Sequence, residues 1–453
     1  MTRAPARGYG AVRGLTRLLL GLFYERLEAA GLDNVPASGG LIVAANHHNS
    51  IVDAMLLIAT FDRPLRVLAN APLFRHPVIG PFLRLMGGLP VNRRKEAGDD
   101  PNKNAALFDA TTAALRAGEA IAIFPEGRTQ PEPALQEVRT GTARMFLAAE
   151  AAGVSGVTLL PVGLVFDEPG TFRTGRAFVQ VGRPVETAGI GGADASPSIA
   201  AARRLTERLR DALRAQIVEA DDRATLRLLK LAEELWREKA AGPRPGEAER
   251  VAWLQNAMRS YRSLQKKDPE RVAAFRRSLE SFDAACAKAG LSVERLSRRY
   301  TFGSVATFAA VEGFSLLIAT PLALVGLVLH ALPYQLTSLA VRLIPHTDEE
   351  EATDKIAAGL LLYPLAWIAE GWAAWALGGP LALLLFLLAL PITGFLALAF
   401  SERLERVGRE ARAFLVALGH RGRRERLRRE REALVRELEA LANPGEAGTG
   451  GAP

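Results

Sequence analysis

Cysteine is almost absent from this 453-residue sequence, in which Cys286 is the only one. A single cysteine excludes an intrachain disulfide and a cysteine-based metal cluster. We expect it to be a small apolar filler on a helix. The lack of disulfides is compatible with a catalytic part that faces the cytoplasm.

Aromatic residues are also scarce, at 7% of the sequence. The formal net charge of +8 and the pI near 9.8 would suit nucleic acid or an anionic lipid surface equally well. We find no groove-reading motif and no basic run interleaved with aromatic residues that would stack bases. Together with long apolar segments near the end of the chain, this favours lipid and argues against nucleic acid as the partner.

The amino terminus lacks a clean cleavage site. Arg3, Arg7 and Arg13 precede a short leucine run, as in a signal peptide, but the apolar core is short and leads into charged residues. Apolar residues at helical spacing between residues 10 and 27 predict an amphipathic helix. We expect this helix to lie on a bilayer, and the alternative is an ordinary helix that covers a sheet.

Composition divides the chain into five segments. Strand-like and helical patterns alternate up to about residue 190, which predicts an α/β fold with a largely parallel sheet flanked by helices. The segments are an interfacial amphipathic helix (1–30), a catalytic domain (31–190), a charged helical extension (198–300), a transmembrane region (302–400) and a basic helical tail with a disordered end (401–453).

The transmembrane region is predicted from its length and its lack of charge. A bilayer core of ~30 Å needs about 20 apolar residues per helix. Residues 302–329 meet this length, and residues 356–400 predict a helical hairpin that turns at residues 378–380. Because Lys and Arg near membrane spans stay on the cytoplasmic side, we expect a multi-pass protein of a bacterial inner membrane with its catalytic domain in the cytoplasm. The number of spans in residues 302–344 stays open.

A histidine and an aspartate follow the apolar run at residues 41–45. That run predicts a buried strand, and residues 50–58 predict the helix after it. The Asp53 carboxylate would then reach the His48 imidazole and orient it, while the ring takes a proton from an attacking hydroxyl. We therefore predict a general-base pair of His48 and Asp53, with His47 as the alternative histidine.

Four short blocks in a fixed order resemble a known family. They are Asn46-His-His-Asn-Ser-Ile-Val-Asp53, Gly88-Leu-Pro-Val-Asn-Arg93, Phe124-Pro-Glu-Gly127 and Leu160-Pro-Val162. In order and spacing they resemble the glycerolipid acyltransferase family, the glycerol-3-phosphate and 1-acylglycerol-3-phosphate O-acyltransferases of phosphatidic acid synthesis. Four blocks in order are far more specific than any one of them. The resemblance stops near residue 187.

The resemblance implies roles for residues of the later blocks. The family's arginine in the second block holds the phosphate of the acceptor, which assigns that role to Arg93, and the last block lines the acyl-donor pocket, which assigns Pro161 and Val162. A guanidinium suits this task because its paired donors match a phosphate edge. The sequence departs from the family at Pro90, which leaves the acceptor open.

The turn after the third block adds further candidates for binding the acceptor. Glu126 would bind a glycerol hydroxyl or hold a neighbouring arginine, and Gly127 would let the backbone approach a ligand. Arg128 is a further candidate for phosphate. Arg139 opens a predicted helix, where backbone N–H groups favour an anion, although family members usually carry lysine there. The alternative for this group is a structural turn with a solvated charge cluster.

The resemblance implies a membrane-bound O-acyltransferase. The acyl donor would be a thioester, acyl-CoA or acyl-carrier protein, and the acceptor would be glycerol 3-phosphate, its monoacylated product or dihydroxyacetone phosphate. A thioester is already activated, so we expect no serine or cysteine nucleophile, no cofactor and no metal.

Two other functions stay open from the sequence. A thioesterase-like hydrolase would use water in place of the acceptor and would have less need of Arg93. A catalytically inert membrane scaffold would use the α/β domain only to bind lipid or proteins. The presence of the complete set of site residues argues against the scaffold.

Overall fold

The structure is a computed structural model that divides into two compact units. It describes residues 8–76, 79–92, 105–130, 132–167, 175–190, 198–239, 246–293, 296, 302–343, 351–419 and 421–442. The first unit comprises Met1–Arg223, Gly246–Gln255 and Ile344–Ala357, and the second comprises Ala224–Pro245, Asn256–Leu343 and Ala358–Pro453.

The first unit is built on one seven-stranded sheet. Its strands in chain order are β1 (Arg26–Ala30), β2 (Leu41–Ala45), β3 (Leu65–Asn70), β4 (Leu89–Val91), β5 (Ala120–Ile123), β6 (Thr158–Asp167) and β7 (Arg176–Val181). Their spatial order is β1-β7-β6-β2-β5-β3-β4, and every pair is parallel except β6 with β7. This arrangement confirms the predicted largely parallel α/β sheet.

Helices cover both faces of the sheet. They are α1 (Tyr9–Phe23), α2 (Ser50–Thr60), α3 (Ile79–Leu85), α4 (Ala105–Arg116), α5 (Gly141–Ala151) and α6 (Ile199–Arg214), with short 3₁₀ turns at Leu32–Asn34 and Ala71–Arg75. One core packs α1, α2 and α3 on the sheet, and the other packs α4, α5 and α6 on the opposite face. Since both faces are covered, β2 is buried at all five positions and reads as a continuous apolar run.

The amino-terminal segment packs a helix on the sheet, which was the alternative to an interfacial helix, and adds a strand to it. Helix α1 buries Val12, Leu20 and Phe23 in the core, while Leu15 and Leu18 on its other side are 36% and 52% exposed. Residues 26–30 form β1, which pairs in parallel with β7. The sequence does not predict this strand, because five residues whose burial does not alternate give little signal.

Pro161 does not mark an edge or a bend, as a proline within a strand usually indicates. It lies in β6, which is an interior strand between β2 and β7. The ladder with β7 begins one residue later, at Val162, and Pro161 contributes only its carbonyl, which accepts from the N–H of Gly182 at 2.9 Å. The missing proline N–H is therefore outside that ladder.

Helix α6 packs on the sheet, although its composition placed it in the charged extension. Ser198 caps its first turn by accepting from the N–H of Ala201 at 3.0 Å. Leu205, Leu209 and Leu213 recur at helical spacing and are fully buried in the second core. The remaining surface of the helix is mostly charged, which explains why composition alone grouped it with the residues that follow.

The remaining helices are long. They are α7 (Arg223–Lys239), α8 (Glu247–Lys267), α9 (Pro269–Ala289), α10 (Phe302–Leu343), α11 (Glu351–Gly419) and α12 (Arg421–Ala442). In α11 the backbone leaves helical geometry at Gly379, with φ 68° and ψ −160°, within the turn predicted at residues 378–380. Helix α10 is continuous over 42 residues, or roughly 63 Å.

Two of the described helices are long and apolar enough to cross a membrane. The segments are Val305–Leu343 and Thr353–Arg412, with mean hydropathies of 2.1 and 2.6. Only 11% and 22% of their most apolar windows are buried inside the molecule. The core helix of a soluble protein would be mostly buried, so these segments present their leucines to the surroundings.

Two glycines with similar backbones allow a test of the packing between β1 and β7. Gly31 has φ 74°, and a Cβ there would lie 2.1 Å from the carbonyl oxygen of Val181, whereas Gly153 has φ 77° and nothing within 4 Å of its Cβ position. We expect Gly153→Ala to cost ~1–2 kcal/mol from backbone strain alone. Gly31→Ala should cost ~1–3 kcal/mol more, because a backbone carbonyl cannot move aside freely. Thermal unfolding of both variants measures this, and equal losses would contradict the packing described.

Candidate active site

The candidate site lies where the parallel strands β2 and β5 end. His47 follows β2, Phe124 follows β5, and Asp53 stands in the first turns of α2. Carboxyl ends of parallel strands meet at one edge of a sheet, which is where open α/β sheets bind ligands. The fold therefore brings together residues that are about 75 positions apart in the chain.

Asp53 organises the turn between β2 and α2. Its side chain is completely buried, and Oδ2 accepts three hydrogen bonds of 2.8 Å each, from the backbone N–H groups of His48 and Asn49 and from Nδ1 of the His47 ring. The turn is tight, since Ser50 adopts φ 44°. Because an ionised carboxylate only accepts, the proton of His47 is on Nδ1 and its Nε2 carries a lone pair.

The predicted pairing of His48 with Asp53 is wrong, since the aspartate orients the alternative histidine, His47. His48 gives Asp53 only its backbone N–H. Its own ring is engaged elsewhere, with Nδ1 2.7 Å from the amide nitrogen of Asn46 and Nε2 2.9 Å from the carbonyl of Glu132. The turn between β2 and α2 therefore presents only the His47 ring to the carboxylate.

His47 is held on every side. Its ring stacks on Phe124 with centroids 4.1 Å apart and planes at 13°, and its backbone N–H donates to Glu126 Oε1 at 2.8 Å. The hydroxyl of Thr129 lies 2.9 Å from Nε2. The side chain is still 15% exposed. An oriented, partly exposed imidazole whose Nε2 can accept a proton is the arrangement that a general base requires.

Glu126 fixes the loop after β5 against this histidine. It is 2% exposed, and its second oxygen, Oε2, accepts from the N–H of Gln136 at 3.0 Å. Burial raises the pKa of this carboxyl, against the lowering effect of the His48 and His47 rings and of the two N–H donors. The expectation that Glu126 binds glycerol or holds an arginine missed this role, since both oxygens accept backbone N–H groups.

The arginines near the loop are exposed. Arg128 donates through Nη2 to Gln136 Oε1 at 2.8 Å, and the Arg139 side chain packs beside Gly127, which adopts φ 68° in the turn. Both cations thus lie on the loop that carries Glu126, within reach of solvent. Arg93 lies outside the described residues.

Comparison with known proteins agrees with this arrangement. A family model described as Acyltransferase matches residues 26–165, a segment that runs from the start of β1 into β6 and includes the His47–Asp53 pair. This match identifies residues 26–165 as an acyltransferase-like domain, called the acyltransferase domain below.

Curated relatives of the acyltransferase domain carry a specific name. A 1-acyl-sn-glycerol-3-phosphate acyltransferase of Borreliella burgdorferi is 29% identical over 153 residues, which cover 34% of this chain and 56% of the relative. A chloroplastic protein of the same name from Arabidopsis thaliana is 25% identical over 31% of this chain and 36% of its own length. A 1-acyl-sn-glycerol-3-phosphate acyltransferase of Bacillus subtilis is 27% identical over 30% of this chain and 70% of the relative. The chain thus spans about half or less of the first two relatives.

The Leu160–Val162 block of the acyltransferase domain is mostly internal. Val162 is fully buried in the first core, so it contacts no ligand in this arrangement. Pro161 lines a cavity of about 680 Å³ together with Asn34, Arg208 and Gln216, and none of the residues around His47 lines it. The role of the block as an acyl-donor pocket therefore stays a prediction.

Two residues of the site in the acyltransferase domain were not predicted from the sequence. Asn46 is fully buried and bridges to β6, with Oδ1 accepting from the N–H of Leu164 at 2.7 Å and Nδ2 donating to its carbonyl at 2.9 Å. Tyr24 accepts from Asn49 Nδ2 at 2.8 Å, and burial together with the Asp53 charge raises its pKa. The place of Asn46 in the first block could have identified it, whereas Tyr24 lies in no block and has no comparable signal.

Among the described residues, no group of three or more His, Cys, Asp and Glu side chains could hold a metal ion.

The position of Glu126 predicts a large loss of stability on truncation. Glu126→Ala leaves the N–H groups of His47 and Gln136 without their acceptor, and each such loss costs ~1–3 kcal/mol. We expect an unfolding free energy ~2–4 kcal/mol lower, measured by urea denaturation. The control is Glu137→Ala on the same loop, where the side chain is exposed and the change should stay within ~0.5 kcal/mol. Similar losses for both variants would refute the bridging role.

Proposed function

We propose that this protein transfers a fatty acyl group from an acyl thioester to a hydroxyl of glycerol 3-phosphate or a related lysophospholipid. The observation that carries the proposal is the His47–Asp53 pair at the carboxyl end of β2, with Nδ1 and Oδ2 2.8 Å apart, inside an acyltransferase-family domain. The names of the curated relatives favour 1-acyl-glycerol 3-phosphate as the acceptor. Glycerol 3-phosphate and dihydroxyacetone phosphate are the other candidates.

His47 is the proposed general base. Its Nε2 takes the proton of the acceptor hydroxyl while that oxygen forms a bond to the thioester carbonyl carbon. The tetrahedral intermediate then collapses, the carbon–sulfur bond breaks, and the thiolate takes the proton back from the imidazolium. Asp53 holds the ring and stabilises its charge during this cycle. The donor, acyl-CoA or acyl-carrier protein, is a substrate, and the proposed cycle uses no cofactor.

The phosphate of the acceptor would bind to arginine. Arg93 is our first assignment, on the strength of its sequence block, and Arg128 and Arg139 are the alternatives because they lie exposed on the loop beside His47. Their solvent-facing guanidinium groups suit an anionic head group that arrives from the surface.

We further propose that the protein is membrane-bound, with its catalytic domain in the cytoplasm. Support comes from the exposed apolar helices α10 and α11, since Leu377 is 90% and Leu343 is 73% exposed. Exposed leucines in such numbers are costly in water and favourable in lipid. The outward leucines of α1, Leu15 and Leu18, would add an interfacial contact. A membrane location also fits an acceptor that is itself a lipid.

An acceptor panel tests the proposed reaction. Membranes that carry the protein are incubated with labelled acyl-CoA or acyl-carrier protein and with each candidate acceptor, and the acylated product and the free fatty acid are both measured. Product formation with at least one acceptor supports acyl transfer. Free fatty acid alone, independent of any acceptor, would support the hydrolase and refute the transferase.

Substitution of the two histidines separates their roles. We expect His47→Ala to lower kcat/KM by ~10²–10⁴-fold, because general-base assistance is lost. The matched control is the adjacent His48→Ala, which should stay within about tenfold since the His48 ring does not contact Asp53. Asp53→Asn should remove most activity, because an amide cannot accept all three donors. Loss with His48→Ala and tolerance of His47→Ala would refute this assignment.

The phosphate assignment is tested through the two Michaelis constants. We expect Arg93→Ala to raise the acceptor KM by ~10–100-fold, because a charge-assisted hydrogen bond contributes ~1.5–3 kcal/mol, and to leave the donor KM nearly unchanged. Arg203→Ala, an exposed arginine of α6, serves as the control for lost charge. Equal weakening toward both substrates would remove Arg93 from the acceptor site, and Arg128→Ala and Arg139→Ala would then be compared in the same way.

A further inference from the structure

The lone pair of His47 is already occupied in the structure. Asp53 holds the proton on Nδ1, so Nε2 can only accept, and the hydroxyl of Thr129 lies 2.9 Å from it. A hydroxyl at this distance is the donor in an O–H···N hydrogen bond. Thr129, His47 and Asp53 thus form a continuous hydroxyl–imidazole–carboxylate chain.

The position of this hydroxyl is set by the backbone. Gln130, the next residue, donates its N–H to the carbonyl of His47 at 3.2 Å, so residues 129 and 130 run alongside the histidine. Glu126 fixes the start of the same loop to the His47 N–H at 2.8 Å. The loop is therefore hydrogen-bonded to the His47 backbone both before and after Thr129, which places the Thr129 hydroxyl beside the ring.

An acceptor hydroxyl would need the same place. The imidazole nitrogen has a single lone pair in the plane of the ring, and one O–H donor saturates it. An acceptor that gives its proton to Nε2 must first displace Thr129. A rotation about χ1 of threonine moves the hydroxyl to another staggered position without moving the backbone.

We propose that Thr129 caps the general base when no acceptor is bound. Its hydroxyl occupies the place of the acceptor hydroxyl and keeps water from Nε2, so that a bound thioester is not hydrolysed. The acceptor then displaces the cap, gives its proton to His47 and takes the acyl group. This inference rests on the proposed acyl transfer, and it makes Thr129 a positioning residue that acts through His47.

Chemical modification of the ring tests the cap without any assay of activity. Diethyl pyrocarbonate reacts with unprotonated imidazole nitrogen, and the extent at each histidine is read by tandem mass spectrometry of the full-length protein. We expect His47 to react about three- to tenfold faster in Thr129→Val, which keeps the shape of the side chain and removes the hydrogen bond. Thr129→Ser keeps a hydroxyl and should react like the wild type. His48, whose two ring nitrogens have other partners, is the internal reference.

The second measurement is hydrolysis of the acyl donor alone. We expect Thr129→Val to release thiol about three- to tenfold faster than the wild type without acceptor, so that the ratio of hydrolysis to transfer rises. Thr187→Val, on the loop after β7, controls for loss of a threonine hydroxyl elsewhere in the domain. Thr129→Ser should again match the wild type.

Two results would overturn the cap. Unchanged labelling of His47 and unchanged hydrolysis in Thr129→Val would mean that the hydroxyl protects nothing. An acyl adduct on Thr129 of the wild type would make the threonine a nucleophile instead, if transfer were also lost in Thr129→Val and kept in Thr129→Ser. If the wild-type protein shows no acyl transfer at all, the proposed function fails, while the labelling of His47 still decides whether the ring is capped.

Discussion

A buried carboxylate whose charge is stabilised by hydrogen-bond donors on one of its oxygens controls the geometry of this site. Asp53 is inaccessible to solvent, and an ion removed from water is tolerated only where donors replace its hydration. Three donors converge on Oδ2, two of them from the backbone of the turn and one from the His47 ring. The same atom therefore joins the turn after β2 to the first turns of α2 and determines which nitrogen of His47 carries the proton.

The loop after β5 completes the site by a second buried carboxylate. Glu126 joins the N–H of His47 to the N–H of Gln136, and Phe124 supplies the surface on which the imidazole stacks. Asn46 ties the end of β2 to β6 through both of its amide atoms. Three neighbouring strands thus hold one histidine, which leaves the ring little freedom except at Nε2. Such preorganisation is what lets a weak base act at a defined place.

The polar site and the apolar helices make different demands on the surroundings. The acyltransferase domain buries its apolar residues on both faces of the sheet. The helices α10 and α11 instead leave their leucines and aromatic residues exposed, among them Phe314 at 65% and Trp372 at 69%. Exposed apolar side chains in such numbers favour a lipid environment for these helices.

The amino-acid sequence by itself determined the fold class, the order of the strands along the chain and the blocks that mark the domain. Buried strands such as Leu41–Ala45 read directly as apolar runs, and the helix that carries Asp53 follows from its periodicity. Three other features depend on neighbours that are distant in sequence. They are the short strand β1, the packing of α6 on the sheet and the interior place of Pro161. Only the tertiary structure decided between two adjacent histidines. Spacing along the chain does not reveal which of the two rings the turn after β2 presents to the carboxylate, or that Ser50 adopts a positive φ within this turn.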